Sequence, residues 1–145
     1  SKSILRSAPK RHFVDPSLAV AALRGTPDHR RRDLRLFGFL FESLVTRDLR
    51  VYAQAHDAVV LHYRDNTDLE IDAVVQAANG RWAAFEVKLG SGRIDEAAAN
   101  LLTFARRVDT RRCGAPSALG VIVGTGYGYT RKDSVVVIPI GALGP

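Results

Sequence analysis

Apolar residues recur at helical spacing in two long stretches of the chain. Such a stripe predicts a helix with one buried face, because residues three and four positions apart lie on the same side of a helix. The first stretch predicts a helix over 33–50, and the second predicts one that begins after Gly90-Ser91-Gly92. A shorter helix is expected to begin at Asp15-Pro16 and to stop at Gly25, since Asp is a good N-cap and Pro fits the first helical position. The apolar stripe of the first long helix consists of Phe37, Leu40, Phe41, Leu44, Val45 and Leu49. That of the second consists of Ile94, Ala97, Ala98, Leu101, Ala105 and Val108.

Several apolar segments rich in β-branched residues predict strands. Short polar connections join the first three, and connections of this length form antiparallel hairpins. A helix then separates the third strand from the fourth, as in the crossover that joins parallel strands. The chain is therefore expected to have an α/β fold, with a mixed β-sheet flanked by helices. The predicted strands are 59–64, 69–76, 82–88, 118–123 and 134–138.

The chain has 145 residues, enough for a single domain with its own core. Residues 33–145 are expected to form that core, and residues 1–32 a lead-in with the short helix and a polar loop over 26–32. The sequence contains no methionine, which suggests a piece of a longer protein. No apolar run reaches the roughly 20 residues that cross a bilayer. The N-terminus lacks the apolar core of a signal peptide. Cys113 has no second cysteine with which to form a disulfide, as is common in a reducing compartment. A cytoplasmic protein without a membrane partner is expected.

The most informative residues lie on the second and third predicted strands. Glu86 and Lys88 are two residues apart, and side chains alternate along a strand, so both point to one face. On the preceding strand, alternation places Asp72 on one face and both Ile71 and Ala73 on the other. Two acids and a lysine on neighbouring strands can hold Mg²⁺ or Mn²⁺ beside a phosphodiester, because such hard ions prefer carboxylate oxygens and water.

This arrangement depends on the register of the second hairpin. A two-residue Asn79-Gly80 turn would send Asp72 and Glu86 to opposite faces of the sheet. A three-residue loop over 78–80 places Asp72 opposite Glu86, and Gly80 suits the left-handed position of such loops. A nuclease site therefore predicts the three-residue loop or a compensating bulge. The spacing leaves an alternative open, in which these residues form an ordinary cross-strand charge pair on a solvated face.

The chain carries a net charge of +6, most of it in clustered arginines. Guanidinium groups suit phosphate oxygens, and a positive field attracts nucleic acid, so DNA is an expected partner. A solvated basic surface without such a partner is the alternative. The candidate nucleic-acid-binding residues are Arg64, Arg106, Arg107, Arg131 and Lys132.

Asp72 followed by Phe85-Glu86-Val87-Lys88 resembles the PD-(D/E)xK pattern of restriction-endonuclease-like nucleases. Glu42 resembles the acid on the first core helix in the resolvase-like branch of that superfamily. The segments 10–18, 38–44 and 137–140 are similar, in the same order, to a domain of unknown function at the C-terminal end of prokaryotic AAA-type ATPases. The resemblance implies a restriction-endonuclease-like fold and an upstream ATPase domain. It also implies a catalytic set of Glu42, Asp72, Glu86 and Lys88, in which the three acids bind Mg²⁺ or Mn²⁺.

The leading hypothesis is therefore a metal-dependent endonuclease domain that hydrolyses phosphodiester bonds in DNA. Two alternatives remain open: a non-catalytic module that binds nucleic acid, and a regulatory or protein-interaction domain of the ATPase. Enzymatic activity is therefore a hypothesis at this stage. Expected partners are DNA and the ATPase domain, and a second copy of the chain is also considered. No ATP site is expected, because the G-x-x-x-x-G-K-[ST] motif is missing and the glycine-rich segment 124–128 lacks its lysine.

Overall fold

The computed structural model describes residues 12–22 and 33–144. Within them, a six-stranded β-sheet has helices packed on both faces, so the predicted α/β fold with a mixed sheet is confirmed. None of these helices is long and apolar enough to span a bilayer. The strands are β1 (Ala58–Arg64), β2 (Glu70–Ala77), β3 (Trp82–Lys88), β4 (Ala118–Val123), β5 (Tyr129–Thr130) and β6 (Val136–Pro139). The helices are α1 (Pro16–Ala22), α2 (Leu34–Gln54), α3 (Ile94–Arg107) and α4 (Thr110–Cys113), with 3₁₀ turns at Ser91–Arg93 and Ile140–Ala142.

The sheet combines antiparallel hairpins with a parallel centre. Its strand order is β1-β2-β3-β4-β6-β5. β1, β2 and β3 form the two predicted hairpins, whereas β3, β4 and β6 run parallel. Helix α3 makes the crossover that parallel pairing of β3 with β4 requires. Because Lys88 pairs with Val123, the carboxyl ends of β3 and β4 lie side by side.

Two apolar clusters, one on each face of the sheet, form the core. Helix α3 buries its predicted stripe on one face, where Leu101 is fully buried. Helix α2 buries Phe41, Val45 and Leu49 on the other face. Helix α3 therefore presents the face that its apolar periodicity predicts, and α2 does so from Leu40 onward. Phe37, the first residue of the predicted α2 stripe, is 41% exposed instead. The sheet residues under α3 include Ile71, Trp82, Ala84, Val121 and Val137, and those under α2 include Ala73, Val87 and Ile122.

The helix ends follow local capping rules. The Asp33 side chain accepts a hydrogen bond of 2.9 Å from the Leu36 N–H and so caps α2. The helix runs beyond the predicted end at residue 50 to Gln54, since no glycine or proline stops it. Helix α1 begins at Pro16 as predicted. The predicted stop at Gly25 and the predicted loop over 26–32 lie outside the described residues.

Strand β2 contains a bulge where it carries the candidate site. The pairing with β1 shifts between Leu61 and Tyr63, so that Asp72 and Ala73 together oppose one β1 residue. A bulge of this kind interrupts the alternation of side chains. Ile71 packs in the cluster under α3, whereas Ala73 packs in the cluster under α2. The prediction that these two residues share a face is therefore wrong, because the extra residue reverses the direction of the side chains that precede it.

Gly124, directly after β4, fits closely against the chain that leaves β3. A Cβ at this position would lie 2.8 Å from the carbonyl oxygen of Leu89. We expect Gly124→Ala to lower the free energy of unfolding by about 1–3 kcal/mol, because backbone atoms must shift to admit the methyl group. Urea unfolding measures the difference. Gly141→Ala is the matched control, since a Cβ there meets no atom within 4 Å, and equal losses in both variants would contradict the prediction.

Candidate active site

The hairpin between β2 and β3 has the register that the site requires. Ala73 pairs with Phe85, and the Ala77 N–H donates to the Arg81 carbonyl at 2.9 Å to close a three-residue loop. Gly80 occupies the left-handed region with a φ of 83°, which glycine adopts without steric cost. The predicted three-residue loop is confirmed. The next position along this ladder places Asp72 beside Glu86.

Asp72 lies at the bulge, one residue beyond the end of the β2–β3 ladder. Its Oδ2 accepts a hydrogen bond of 2.8 Å from the backbone N–H of Val87. The side chain is 12% exposed, because it is enclosed between the two strands. This hydrogen bond anchors the carboxylate to β3 and orients it toward Lys88, whose Nζ lies 3.8 Å from Oδ2.

Glu86 and Lys88 form a partly buried ion pair on β3, in which the carboxylate is buried and the lysine side chain is 17% exposed. Glu86 is 2% exposed, and its Oε2 accepts a hydrogen bond of 2.5 Å from Lys88 Nζ. Asn100, on α3, donates its Nδ2 to the other carboxylate oxygen at 3.3 Å. The lysine ammonium therefore contacts one buried carboxylate and lies near a second, that of Asp72. Asn100 was not predicted, since its contact depends on how α3 crosses the sheet.

Burial and the nearby charge of Asp72 raise the pKa of Glu86 to about 7, while the hydrogen bond and charge of Lys88 act in the opposite direction. Burial has the larger effect, because a carboxylate loses its hydration in the protein interior. A group with this pKa gains or loses a proton near neutral pH. A buried acid perturbed by both desolvation and a specific charge is typical of functional sites.

An open cleft of about 330 Å³ lies over this cluster, between α2 and the end of β3. Glu42 on α2 lines the cleft together with Asp72 and Lys88. Glu86 does not line the cleft, but its carboxylate accepts a hydrogen bond from Lys88, which does. The structure thus brings the four predicted catalytic residues to one place, with three in the cleft wall and the fourth in contact with Lys88.

The oxygen atoms of Asp72 and Glu86 are of the type that Mg²⁺ and Mn²⁺ prefer. In the parts of the chain that the structure describes, no three Asp, Glu, His or Cys side chains come together closely enough to hold one ion. The three-acid ligand set that includes Glu42 is therefore not assembled in this conformation and stays a prediction. The residues present fit a simpler site, in which two carboxylates bind the ion and water or phosphate completes the shell.

Two arginines in the cleft were not among the predicted residues. Arg35 and Arg93 both line the cleft and are exposed. Arg35, Phe39 and Glu42 are separated by four and three residues, so they share a face of α2. That spacing was the signal that could have identified Arg35. Arg93 follows the glycines after β3, and no periodic pattern points to it.

The predicted nucleic-acid-binding residues lie outside the cleft lining. Arg64, Arg107 and Arg131 each form an ion pair with a nearby aspartate, which reduces the charge they offer to phosphate. Arg106 and Lys132 are exposed. Binding of nucleic acid by these five residues stays a prediction.

Comparisons with known proteins assign a family. No protein with a curated description matches the chain. Among solved structures, the chain is similar to part of a refined half-complex from a tetradecameric assembly of Thermococcus gammatolerans McrB AAA+ hexamers with bound McrC. The TM-score is 0.47 at 14% identity, and the match covers 70% of this chain and 27% of that chain. Residues 37–143 match the model of a domain of unknown function, DUF4143. Because that match spans most of the chain and all four candidate catalytic residues, the protein belongs to the DUF4143 family.

Proposed function

We propose that this domain is a metal-dependent nuclease that hydrolyses phosphodiester bonds in DNA. The observation that carries the proposal is the meeting of Asp72, Glu86 and Lys88 at the bulged end of the β2–β3 hairpin, beside an open cleft. An ordinary solvated charge pair would have exposed side chains. Here Glu86 is 2% exposed and its pKa is raised to about 7, an arrangement that is costly for folding and suited to chemistry.

Each residue has a role that follows from its position. Asp72 and Glu86 would hold Mg²⁺ or Mn²⁺, which lowers the pKa of a bound water and neutralises charge on the phosphate. Lys88 would turn from Glu86 toward a phosphoryl oxygen or the attacking water, since its Nζ lies between the site and the cleft. Glu42, which lines the same cleft, would accept a proton from a water bound there. Arg35 and Arg93 would position the backbone phosphates.

We also propose that the full-length protein joins this domain to an AAA-type ATPase, as the resemblance of its sequence implies. A domain without catalysis, serving regulation of such an ATPase or binding nucleic acid, would keep the fold but not the metal. Metal binding therefore separates the nuclease proposal from this alternative.

The test is calorimetric titration of the protein with Mn²⁺ and Mg²⁺, followed by incubation with plasmid and oligonucleotide DNA. We expect wild type to bind Mn²⁺ and to cut DNA, with cleavage stopped by EDTA, and Asp72→Ala to lose both properties. Asp68→Ala is the matched control, because it removes an aspartate that is 85% exposed and outside the cleft. A wild type that neither binds metal nor cuts DNA, or an Asp72→Ala variant that cuts normally, would overturn the proposal.

A further inference from the structure

An aromatic ring stands in the wall of the cleft, where the proposed chemistry does not use it. Phe39 lines the cleft and is 56% exposed. The neighbouring Gly38 also lines the cleft, and a Cβ built there would meet no atom within 4 Å. The ring therefore faces open space on the cleft side of α2. Arg35, one helical turn before Phe39, stands on the same side.

Arg93, directly before α3, also lines the cleft. The exposed ring of Phe39 therefore stands in a cleft that also carries the exposed guanidinium groups of Arg35 and Arg93. Exposed rings that alternate with cations are the pattern by which proteins bind single strands, because rings stack on bases and arginines contact phosphates. In a duplex the bases are stacked on one another, and such rings have no base face to contact.

We propose that the cleft takes single-stranded DNA, with an unpaired base stacked on Phe39. This proposal rests on the proposed nuclease function, since it names the substrate class of the same site. Backbone phosphates lie on Arg35 and Arg93, which places a phosphodiester near Lys88. The preferred substrates are then single strands, or the unpaired segments of flaps and gaps, and not continuous duplex.

The test uses fluorescence anisotropy with labelled DNA in EDTA, so that binding is measured without cleavage. A single-stranded oligonucleotide and the matching duplex are compared at one ionic strength. We expect the single strand to bind at least about tenfold more tightly, and Phe39→Ala to weaken it at least about fivefold while leaving duplex binding unchanged. Val51→Ala is the matched control, because Val51 is a 58% exposed apolar residue on the same helix and outside the cleft lining.

The outcomes separate this proposal from the nuclease function on which it rests. Tighter binding of single strands, lost in Phe39→Ala, without cleavage in Mn²⁺ would support the binding mode and refute the nuclease. Cleavage of duplex DNA with equal affinity for both forms, or a Phe39→Ala variant that binds normally, would overturn the single-strand proposal alone. Absence of binding to either DNA would overturn it as well. A dimer in light scattering that Phe39→Ala converts to monomer would instead assign the ring to a contact between copies of the chain.

Discussion

Replacing Glu86 by glutamine is expected to stop DNA cleavage and, at the same time, to make the metal-free protein more stable above neutral pH. Glutamine keeps the shape of the side chain but supplies no negative charge to a metal ion. Under the proposed function we expect at least about a hundredfold loss of cleavage, since even changes to groups that support a metal ligand cost up to that much. The gain in stability arises because a carboxylate with 2% exposure is costly to ionise.

The sign of the stability change follows from the raised pKa of Glu86, about 7 in the folded protein against 4.5 for the unperturbed group. Between these values the folded protein binds more protons than the unfolded chain, so stability falls as pH rises through the interval. Glu86→Gln removes this loss. We expect it to unfold with a free energy higher by about 1–3 kcal/mol near pH 8, and to differ little from wild type near pH 5.

Urea unfolding over this pH range measures the effect, in EDTA so that no metal contributes. Glu70→Gln is the matched control, since it makes the same change on β2 at a partly exposed position whose carboxylate contacts His62. A Glu86→Gln variant that is less stable than wild type at both ends of the range would show that the ion pair with Lys88 outweighs the cost of burial. A variant that is more stable and still cuts DNA would remove Glu86 from the proposed catalytic set.

The strands that carry the site could be predicted because apolar runs and turn residues mark them directly. Gly80 fits both a two-residue turn and a three-residue loop, so the sequence alone left the register open. Only the requirement that Asp72 and Glu86 share a face favoured the three-residue loop, which the structure has. The bulge at Asp72 could not be predicted in the same way, because neither a glycine nor a proline marks it. A bulge is selected by how both neighbours of β2 pair at once, and local sequence does not contain that information.

The cleft was harder to predict than the four candidate catalytic residues that meet at it. Glu42, Asp72, Glu86 and Lys88 carry a recognisable pattern of residue types and spacing. Arg93 and Asn100 join the site through the path of the chain after β3 and the placement of α3, which depend on tertiary packing. The arginine clusters predicted nucleic-acid contacts for residues such as Arg107, which in the structure forms an ion pair with Asp65. Charge counts along a sequence do not reveal which cations have a carboxylate partner.

Replacing Lys88 by methionine is expected to destabilise the metal-free protein strongly, which is the opposite of the effect at Glu86. The ammonium is the donor within 2.5 Å of Glu86 Oε2 and lies 3.8 Å from Asp72 Oδ2. Its removal leaves two carboxylates together with little solvent, and breaking a buried pair from one side typically costs about 3–5 kcal/mol. We expect a loss of this size near pH 8 and a smaller one near pH 5, because Glu86 then takes up a proton and no longer needs the lysine.

The double variant Lys88→Met with Glu86→Gln tests this reasoning, since it removes both charges of the pair. Replacing both partners of a buried ion pair is often neutral, so the double variant should recover most of the stability that Lys88→Met loses. Lys132→Met, at an exposed lysine, is the control for the loss of a positive charge and is expected to change stability little. Urea unfolding of wild type, the two single variants and the double variant at both pH values gives the coupling energy, and Lys132→Met is measured beside them. If the effects of the two single changes simply add, Lys88 does not stabilise the fold through Glu86, and other contacts hold the lysine in place.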